Sequence, residues 1–519
     1  MTSPVAIPFW LFVILAVLAA IAVVDRIFAP GVRWYFRRRV NDAIDELNAR
    51  LDLRIQPFKL AHREGLVDQL LYDHTVIDAV EAEHEATGTP RSVLMKEVTT
   101  YAREIVPTFS PLAYFGFGTR AARWISEFVY RVRLGYTDDA ALRSIPPEAA
   151  VVFVMNHRSN MDYVLVTYMA STRASLSYAV GEWARIWLLQ SLFRSMGAYF
   201  IRRKSNNTLY RRVLAAYVRK ATDEGVTQAV FPEGGLSRDG KLGEARLGLL
   251  SYMVGGFNPA TDRDIVFIPV GINYDRVLED RILTAKSEKE HTGRDFSVSP
   301  FTVLGFVGHL IKLRFQGRLY RYGHACVSFG KPVSLKAFAE ENRLDFSKVT
   351  PPSPKAKNGK PNPPGPIEKL GNALLAEIGD VVPVLPAALT ATVMLELKDQ
   401  AIGELELKSR VFNLITELEE NGAHLHIPRH DRDYTLTTGI RMLTLRHIIT
   451  RTEDGLYRAN PEETLLLQYY ANSIAHLRKQ LPAPRKRATG KSAAAGTRGK
   501  SGKAKRENPS PAGSILTDN

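Results

Sequence analysis

Cysteine is almost absent from this 519-residue sequence, because Cys326 is the only one. A single cysteine cannot form an intrachain disulfide, and it cannot supply the several thiolates of a cysteine metal site. A reducing compartment fits this composition best. Hydrophobic residues make up 45% of the chain, which is enough to fill at least one sizeable core, so we expect a globular protein with attachments.

Charged residues are absent from one long stretch, residues 5–24 (VAIPFWLFVILAVLAAIAVV). About 20 apolar residues are needed to cross a bilayer core as a helix. No positive charge precedes the stretch, and a cluster follows it: Arg26, Arg33, Arg37, Arg38 and Arg39. This order favours an uncleaved anchor over a secretory signal, although the small residues at Ala19, Ala20 and Ala22 leave cleavage as the alternative. We therefore predict a single-pass transmembrane anchor in residues 1–29, in the inner (cell) membrane, with the catalytic part in the cytoplasm.

Aromatic residues are absent from residues 481–519, and large apolar residues are few. Nine lysines and arginines lie between Arg485 and Arg506, so this segment carries much of the formal net charge of +15. Too little apolar surface is available to order it, which predicts a disordered basic tail. Nucleic-acid binding would favour interleaved aromatic residues, so we expect no nucleic-acid partner. The alternatives are a solvated terminus and adhesion to anionic phospholipid.

Changes of pattern divide the rest of the chain. Residues 30–145 contain stretches such as RSVLMKEVTTYAREI, whose apolar spacing predicts a helical N-terminal region. In residues 146–348 short apolar stretches such as AAVVFVMN, TQAVF and DIVFIPVGI alternate with helical patterns, which predicts an α/β domain with a mixed sheet covered by helices. Residues 349–367 contain seven prolines and are predicted to be a linker. Residues 368–480 are predicted to be mostly helical.

His157 and Asp162 follow the predicted strand AAVVFVMN, within the stretch NHRSNMD. A carboxylate near a histidine can hold the imidazole in one tautomer and make it a better proton acceptor. Pairs with this spacing also occur by chance, and polar turn residues often only cap helices. The neighbouring sequences therefore have to decide between a catalytic pair and a structural one.

Three more polar clusters follow predicted strands, in GAYFIRR, FPEGGLSRDG and IPVGINYDR. Ligands of open α/β sheets bind at the carboxyl ends of strands, so we expect the four clusters to converge on one cleft. Arg202, Arg203 and Arg238 offer fork-shaped donors to phosphate, and Gly234 and Gly235 allow backbone amides to approach closely. The alternatives are a solvated basic face for the arginines and an ordinary turn for the glycines.

No residue in these stretches is an evident nucleophile. Ser159 lies beside His157 but not in a Gly-x-Ser-x-Gly elbow, and Cys326 has no evident partner. The residues therefore favour direct transfer. His157 would take a proton from a substrate alcohol, the alcohol oxygen would attack an activated acyl carbonyl, and donors of the cleft would stabilise the oxyanion.

Taken together, the four stretches resemble the motif blocks of the glycerolipid acyltransferases, in the branch that acylates glycerol 3-phosphate and dihydroxyacetone phosphate. HRSNMD is similar to the His-x4-Asp block, and GAYFIRR, FPEGGLSRDG and IPVGINYD are similar to the next three blocks, in family order. The resemblance covers residues 150–276, with VVPVLPAALTATVML and YYANSIAHL similar further on. It implies a glycerolipid acyltransferase-like fold and a membrane-bound glycerol-3-phosphate 1-O-acyltransferase that catalyses the first step of phospholipid biosynthesis.

By this resemblance His157 is the general base and Asp162 orients it. The implied substrate-binding residues are Arg158, Arg202, Arg203, Glu233, Gly234, Gly235, Ser237, Arg238 and, for the acyl or acceptor pocket, Pro269. The chain departs from the branch at Leu236, where an arginine commonly follows the paired glycines. Pro232 is similar to the sister branch that acylates lysophosphatidate.

The implied partners are glycerol 3-phosphate, an acyl thioester (acyl-CoA or acyl carrier protein) and membrane phospholipid. We expect no cofactor and no metal, because His157 and Asp162 are too few as ligands. Two alternatives remain, a lysophosphatidate acyltransferase and a catalytically inactive membrane-tethered scaffold. The intact His157 and Asp162 pair argues against the scaffold.

Overall fold

The computed structural model of the chain describes residues 8–10, 12–13, 16, 42, 44–181, 187–202, 207–289, 322–347, 365–398, 400–428 and 431–478. Most of the predicted transmembrane span, nearly all of the predicted linker and the whole basic tail lie outside these residues, as does Arg203. No helix within the described ranges is both long enough and apolar enough to cross a bilayer.

The described part of the chain contains a mixed sheet. Its strands are β1 (Arg131–Thr137), β2 (Ala150–Met155), β3 (Ser177–Val180), β4 (Tyr199–Phe200), β5 (Gln228–Val230), β6 (Ile265–Tyr274), β7 (His324–Phe329) and β8 (Val333–Ser334). Their order is β1, β7, β6, β2, β5, β3, β4, with β8 also paired to β6. Pairs β6/β2, β2/β5, β5/β3, β3/β4 and β1/β7 are parallel, whereas β7 and β8 run antiparallel to β6. The prediction of a mixed sheet is confirmed.

Helices surround this sheet. Those before and between its strands are α1 (Pro57–Leu60), α2 (Arg63–Leu71), α3 (His74–Thr87), α4 (Arg91–Ile105), a π-helix (Leu112–Gly118), α5 (Thr119–Val129), α6 (Asp139–Arg143), α7 (Met161–Ala170), α8 (Trp187–Ser195), α9 (Thr208–Asp223), α10 (Leu247–Val254) and α11 (Asp280–Lys289). Those after it are α12 (Leu335–Asn342), α13 (Pro366–Asp380), α14 (Pro386–Leu397), α15 (Glu404–Glu420), α16 (Arg432–Thr444) and α17 (Thr464–Asn472). A two-stranded antiparallel sheet of β9 (Ile449–Arg451) and β10 (Tyr457–Ala459) lies between α16 and α17.

Strand β2 shows why the sheet is covered on both faces. All six of its residues are buried. Successive side chains of a strand point to opposite faces, and an uninterrupted apolar run is typical of a strand buried on both. Val151, Phe153 and Met155 belong to one hydrophobic cluster, which also contains side chains of α14 to α17. Val152 and Val154 belong to a second cluster, built with α2 to α4, α9, α10 and α13.

The C-terminal helices therefore complete the core of the sheet. Leu389 of α14, Leu436 of α16 and Leu467 of α17 are buried in the same cluster as Phe153. This arrangement was not evident from the sequence, where the proline-rich stretch suggested a boundary. The next helix begins at Pro366, near the end of that stretch. Proline is well accommodated in the first turn of a helix.

One described strand lies in the N-terminal region, residues 30–145, which was predicted to be helical. Residues 131–137 (RVRLGYT) form β1, which pairs in parallel with β7. The stretch is short, and its residues are exposed or only partly buried. Its alternation of apolar and polar residues is therefore weak, and the helical patterns before it led to the prediction of a helical region. Pairing with β7, about 190 residues later in the chain, is a tertiary effect.

Candidate active site

The turn between β2 and α7, residues 156–162, carries the two residues predicted to be catalytic, and we name it the catalytic turn after that prediction. Strand β2 ends at Met155, and Asp162 lies in the first turn of α7. Nδ1 of His157 lies 2.9 Å from Oδ2 of Asp162, and both side chains are almost completely buried. Because an ionised carboxylate only accepts hydrogen bonds, this contact puts the imidazole proton on Nδ1 and leaves a lone pair on Nε2. That tautomer can act as a general base.

Asp162 accepts four hydrogen bonds. Its Oδ2 atom accepts from Nδ1 of His157, from the backbone N–H of Arg158 at 2.7 Å and from that of Ser159 at 3.0 Å. Its Oδ1 atom accepts from the hydroxyl of Tyr274 at 2.6 Å. Burial raises the pKa of Tyr274 well above its ordinary value, so the hydroxyl stays protonated and donates. The four donors fix the orientation of the carboxylate and, through it, of the imidazole.

The imidazole of His157 is also held by aromatic packing. Its ring stacks on Phe231 with centroids 3.9 Å apart and meets Tyr163 edge to face. Phe231 directly follows β5, and Tyr163 lies on α7. Contacts from two different elements therefore restrain rotation of the ring.

Glu233 binds the backbone of the catalytic turn. Its Oε1 atom accepts from the backbone N–H of His157 at 2.8 Å, and its Oε2 atom accepts from that of Gly243 at 2.7 Å. Burial raises the pKa of this carboxyl group, and the two backbone hydrogen bonds oppose that shift. The resemblance assigned Glu233 to the substrate site, whereas these contacts connect the loop after β5 to the turn after β2.

Glu279 is a site residue that the sequence did not indicate. Its carboxylate accepts from the hydroxyl of Ser159 at 2.7 Å and from the backbone N–H of Asn160 at 3.2 Å. Burial raises its pKa. The only sequence signal was an acidic residue shortly after the IPVGINYD stretch, and acidic residues are common at helix starts. Tyr274 lies within that stretch, and the sequence pattern alone indicates no role for it.

The glycines and serine of the FPEGGLSRDG stretch form the loop after β5. Gly234 has φ +67°, and a Cβ there would lie 2.7 Å from Cγ of Arg246, so the position requires glycine. A Cβ at Gly235 would meet no atom within 4 Å, which leaves open space beside the backbone. The backbone N–H of Ser237 donates to the carbonyl of His157 at 2.9 Å. The loop therefore lies directly against the catalytic turn.

The two side chains flanking Ser237 differ in exposure. Arg238 is exposed, one residue from the contact with His157. Leu236, which stands where the family branch commonly has arginine, is partly buried and packs against the hydrophobic core. This position therefore contributes apolar packing in the present chain, and Arg238 is an exposed cation of this loop, as is Lys241.

Arg158 is buried beneath the same loop. Its guanidinium donates to the carbonyl of Gly240 and lies 4.9 Å from the ring centroid of Tyr469, on α17. Among the described residues, its Nε and Nη2 atoms have no hydrogen-bond partner. The side chain therefore connects the catalytic turn to the loop after β5 and to the C-terminal region.

Arg202 lies apart from the His157 and Asp162 pair. Its guanidinium makes a bidentate ion pair with Glu104 of α4 and is flanked by the rings of Tyr101 and Tyr210, at 5.3 and 5.2 Å. Strand β4 is three places from β2 in the sheet, so the strand ends are separated by roughly 14 Å at the usual spacing of about 4.8 Å. The expected convergence holds for the β2, β5 and β6 ends, and Arg202 is bound by a carboxylate of the N-terminal region.

Pro269 lies inside β6, opposite Val154 of β2 and away from the end of the strand. Its carbonyl accepts from the backbone N–H of Gly330 at 2.7 Å. Proline cannot donate to a neighbouring strand, so it modifies the sheet ladder at this point. No contact described here connects Pro269 with His157.

The carboxylate of a second buried histidine and carboxylate pair, His324 and Asp275, binds backbone groups. Nδ1 of His324 lies 2.8 Å from Oδ2 of Asp275, and the same oxygen accepts from the backbone N–H of His324. Oδ1 of Asp275 accepts from the backbone N–H of Ala387 at the start of α14. Both oxygens thus bind backbone groups that join β6, β7 and α14.

Neither a thiol nucleophile nor a metal cluster is found in the described part of the chain. Cys326 is buried in β7, and burial raises its pKa to about 12, so the thiol stays protonated. No three His, Cys, Asp or Glu side chains of the described ranges lie close enough together to hold a metal ion.

Two protein-family models match the chain. The family described as Acyltransferase matches residues 139–273, and the family described as Glycerol-3-phosphate acyltransferase C-terminal region matches residues 307–478. The first contains the turn after β2 and the loop after β5, and the second contains α14 to α17.

Two curated relatives of the chain are glycerol-3-phosphate acyltransferases. The chain is 27% identical over 433 residues to the glycerol-3-phosphate acyltransferase of Aeromonas hydrophila, which covers 81% of this chain and 50% of that protein. It is 24% identical over 431 residues to the glycerol-3-phosphate acyltransferase of Alteromonas mediterranea, covering 80% and 50%. The chain therefore spans about half the length of these relatives. The solved 1-acyl-sn-glycerophosphate acyltransferase of Thermotoga maritima matches 54% of this chain and 94% of its own, at 17% identity and a TM-score of 0.26, which is too low to bear on the fold.

Proposed function

We propose, from the membership of this chain in the glycerol-3-phosphate acyltransferase family of the glycerolipid acyltransferase superfamily, that it transfers a fatty acyl group from an acyl thioester to the 1-hydroxyl of glycerol 3-phosphate. The observation that supports the proposal is the geometry of His157 and Asp162 beside the loop of Arg238. A base on one turn and a cation on the loop that contacts this turn suit an acceptor that carries both a hydroxyl and a phosphate.

In the proposed mechanism Nε2 of His157 takes the proton from the acceptor hydroxyl while the oxygen attacks the thioester carbonyl. The tetrahedral intermediate then collapses, the carbon–sulfur bond breaks, and the imidazolium returns the proton to the leaving thiolate. Asp162 stabilises the imidazolium that forms between these steps, since its carboxylate already lies against Nδ1. No covalent acyl-enzyme is needed, and we propose that neither a metal ion nor a cofactor takes part.

The acceptor phosphate is proposed to bind at the loop after β5. Arg238 is exposed there, and the open space beside Gly235 allows a ligand to approach the backbone. Arg203 remains a predicted contact that lies outside the described residues. Arg202 was predicted as a third contact, but it follows β4, three strands from β2, whereas Arg238 follows Ser237, which binds the carbonyl of His157, so we give Arg238 the larger part.

The decisive experiment is an acceptor panel. Purified full-length chain is given acyl-CoA or acyl carrier protein thioester with glycerol 3-phosphate, dihydroxyacetone phosphate or lysophosphatidate, and thiol release is measured. We expect glycerol 3-phosphate to react fastest, unchanged by a metal chelator. Faster reaction with lysophosphatidate would support the alternative acceptor, and no thiol release with any of them would support the inactive scaffold.

The mechanism is tested by His157→Ala, which should lower turnover about 10²- to 10⁴-fold because a positioned general base is lost. His324→Ala is the matched control, since it removes the histidine of the other buried pair. We expect this control to lower thermal stability without a comparable loss of turnover per folded molecule. Near-normal turnover in a folded His157→Ala protein would refute the mechanism.

We also propose that residues 5–24 anchor the chain in the inner membrane, with the catalytic part in the cytoplasm. A 20-residue apolar span inserts essentially irreversibly, whereas each basic residue of the tail contributes about 1 kcal/mol near an anionic leaflet and is screened by salt. Deleting residues 482–519 should therefore leave the protein in the membrane fraction at high salt. Deleting residues 1–28 should make it at least partly extractable by salt, and a soluble tail-deleted protein would overturn the assignment.

A further inference from the structure

Helix α17 and the turn after it contact both loops that reach the catalytic turn. The first is the loop after β5, residues 237–240, whose Ser237 donates to the carbonyl of His157. The second is the loop after β6, residues 275–280, whose Glu279 binds Ser159. Residues 469–473 are at least 189 positions away from both loops in the sequence, so their contacts depend entirely on the fold.

Two residues of α17 contact the loop after β5. The side-chain amide of Asn472 donates to the carbonyl of Asp239 at 2.8 Å. Gly240 approaches the backbone of Tyr469 so closely that a Cβ there would lie 1.9 Å from the Tyr469 carbonyl oxygen. Arg238 lies next to Asp239, so these contacts determine where the loop presents its exposed cation.

The loop after β6 is bound by Tyr470. Its hydroxyl accepts from the backbone N–H of Val277 at 3.2 Å and donates to Asp280, which also pairs with Arg446. Burial raises the pKa of Tyr470 well above its ordinary value, so the hydroxyl remains a donor. Asp280 follows Glu279 directly, so Tyr470 sets the position of the carboxylate that binds the catalytic turn.

We infer that Asn472 and Tyr470 are positioning residues with different targets, an inference that rests on the proposed function. Asn472 fixes the loop that carries Arg238 and thereby the binding of the acceptor phosphate. Tyr470 fixes the loop that carries Glu279 and thereby the base. The C-terminal region thus acts on acceptor binding and on proton transfer through two adjacent points of one helix.

The first test is Asn472→Ala, at a partly exposed position where folding should persist. Loss of one neutral hydrogen bond should raise the KM for glycerol 3-phosphate about 2- to 12-fold. The KM for the acyl thioester and kcat should not change. Asn421→Ala is the matched control, because this asparagine also donates to a backbone carbonyl, that of Leu477 at 3.4 Å, away from both loops. It should leave both KM values unchanged.

The second test is Tyr470→Phe, which should lower kcat at least tenfold and change the two KM values less. Tyr114→Phe is its control, since the Tyr114 hydroxyl is equally buried and also accepts from a backbone N–H, that of Leu176 at 2.9 Å, before β3. Thermal melts of both variants give the structural cost of losing such a hydroxyl. We expect kcat per folded molecule to fall only in Tyr470→Phe.

The outcomes separate this inference from the proposed function. If the wild-type chain does not acylate glycerol 3-phosphate, the proposed function itself fails. If the wild type is active but Asn472→Ala raises both KM values equally or neither, or Tyr470→Phe loses no more turnover than Tyr114→Phe, only the positioning roles are overturned.

Discussion

Replacing Tyr274 with phenylalanine removes a single hydroxyl from the candidate active site and leaves its ring in place. That hydroxyl donates to Oδ1 of Asp162 at 2.6 Å, the one hydrogen bond described for that oxygen. Hydrogen bonds to charged groups are worth about 1.5–3 kcal/mol, and 1.4 kcal/mol corresponds to tenfold. If the loss is felt wholly in the transition state, Tyr274→Phe should lower kcat/KM by roughly 10- to 150-fold.

Tyr199→Phe is the matched control for this variant. Tyr199 of β4 is as buried as Tyr274, and its hydroxyl donates to Oε1 of Gln228 at 3.4 Å, away from the turn after β2 and from the loop after β6. It should lose about 0.5–1.5 kcal/mol of stability with little change in kcat/KM. The assay is thiol release at saturating thioester, with thermal melts of all three proteins. Equal losses of kcat/KM in the two variants would show that the Tyr274 bond only stabilises the fold.

Three further predictions concern other charged groups. Glu279→Gln removes one of the carboxylate oxygens that accept hydrogen bonds from Ser159 and Asn160. It should lower kcat in the thiol-release assay more than it changes either KM. An unchanged kcat would contradict a role of Glu279 in positioning the turn after β2. Burial lowers the pKa of the Lys59 amine well below its ordinary value, so at intermediate pH the unfolded chain binds one more proton than the folded chain, and the free energy of unfolding should rise with pH up to about 10.5. Lys59→Met should flatten this rise, as measured by urea unfolding at several pH values. An unaltered pH dependence would be inconsistent with a lowered pKa of Lys59. Arg202→Ala should lower the melting temperature, because the ion pair with Glu104 is lost. Its effect on the KM for glycerol 3-phosphate should be smaller than that of Arg238→Ala. Equal changes of KM in the two variants would show that Arg202 binds the phosphate despite Glu104.

Part of the candidate site followed directly from the sequence. His157 and Asp162 are close in the chain, and a short turn from a buried strand into a helix brings such residues together without help from distant segments. The contact between the FPEGGLSRDG loop and this turn followed from the rule that parallel strands end at the same edge of a sheet. The prediction for Arg202 depended on strand order, which sequence patterns do not specify, and β4 lies at the far edge.

The sequence by itself determined the local features of this protein: an α/β pattern, a histidine and carboxylate pair after a buried strand, and a glycine-containing loop after a second strand. Each depends on periodicity or on the backbone freedom of neighbouring residues. Only the tertiary structure decided that Tyr274 and Glu279 bind the catalytic turn and that Tyr470 binds the loop of Glu279. These contacts join residues more than 100 positions apart, because the order of the strands and the packing of the C-terminal helices on the sheet bring them together.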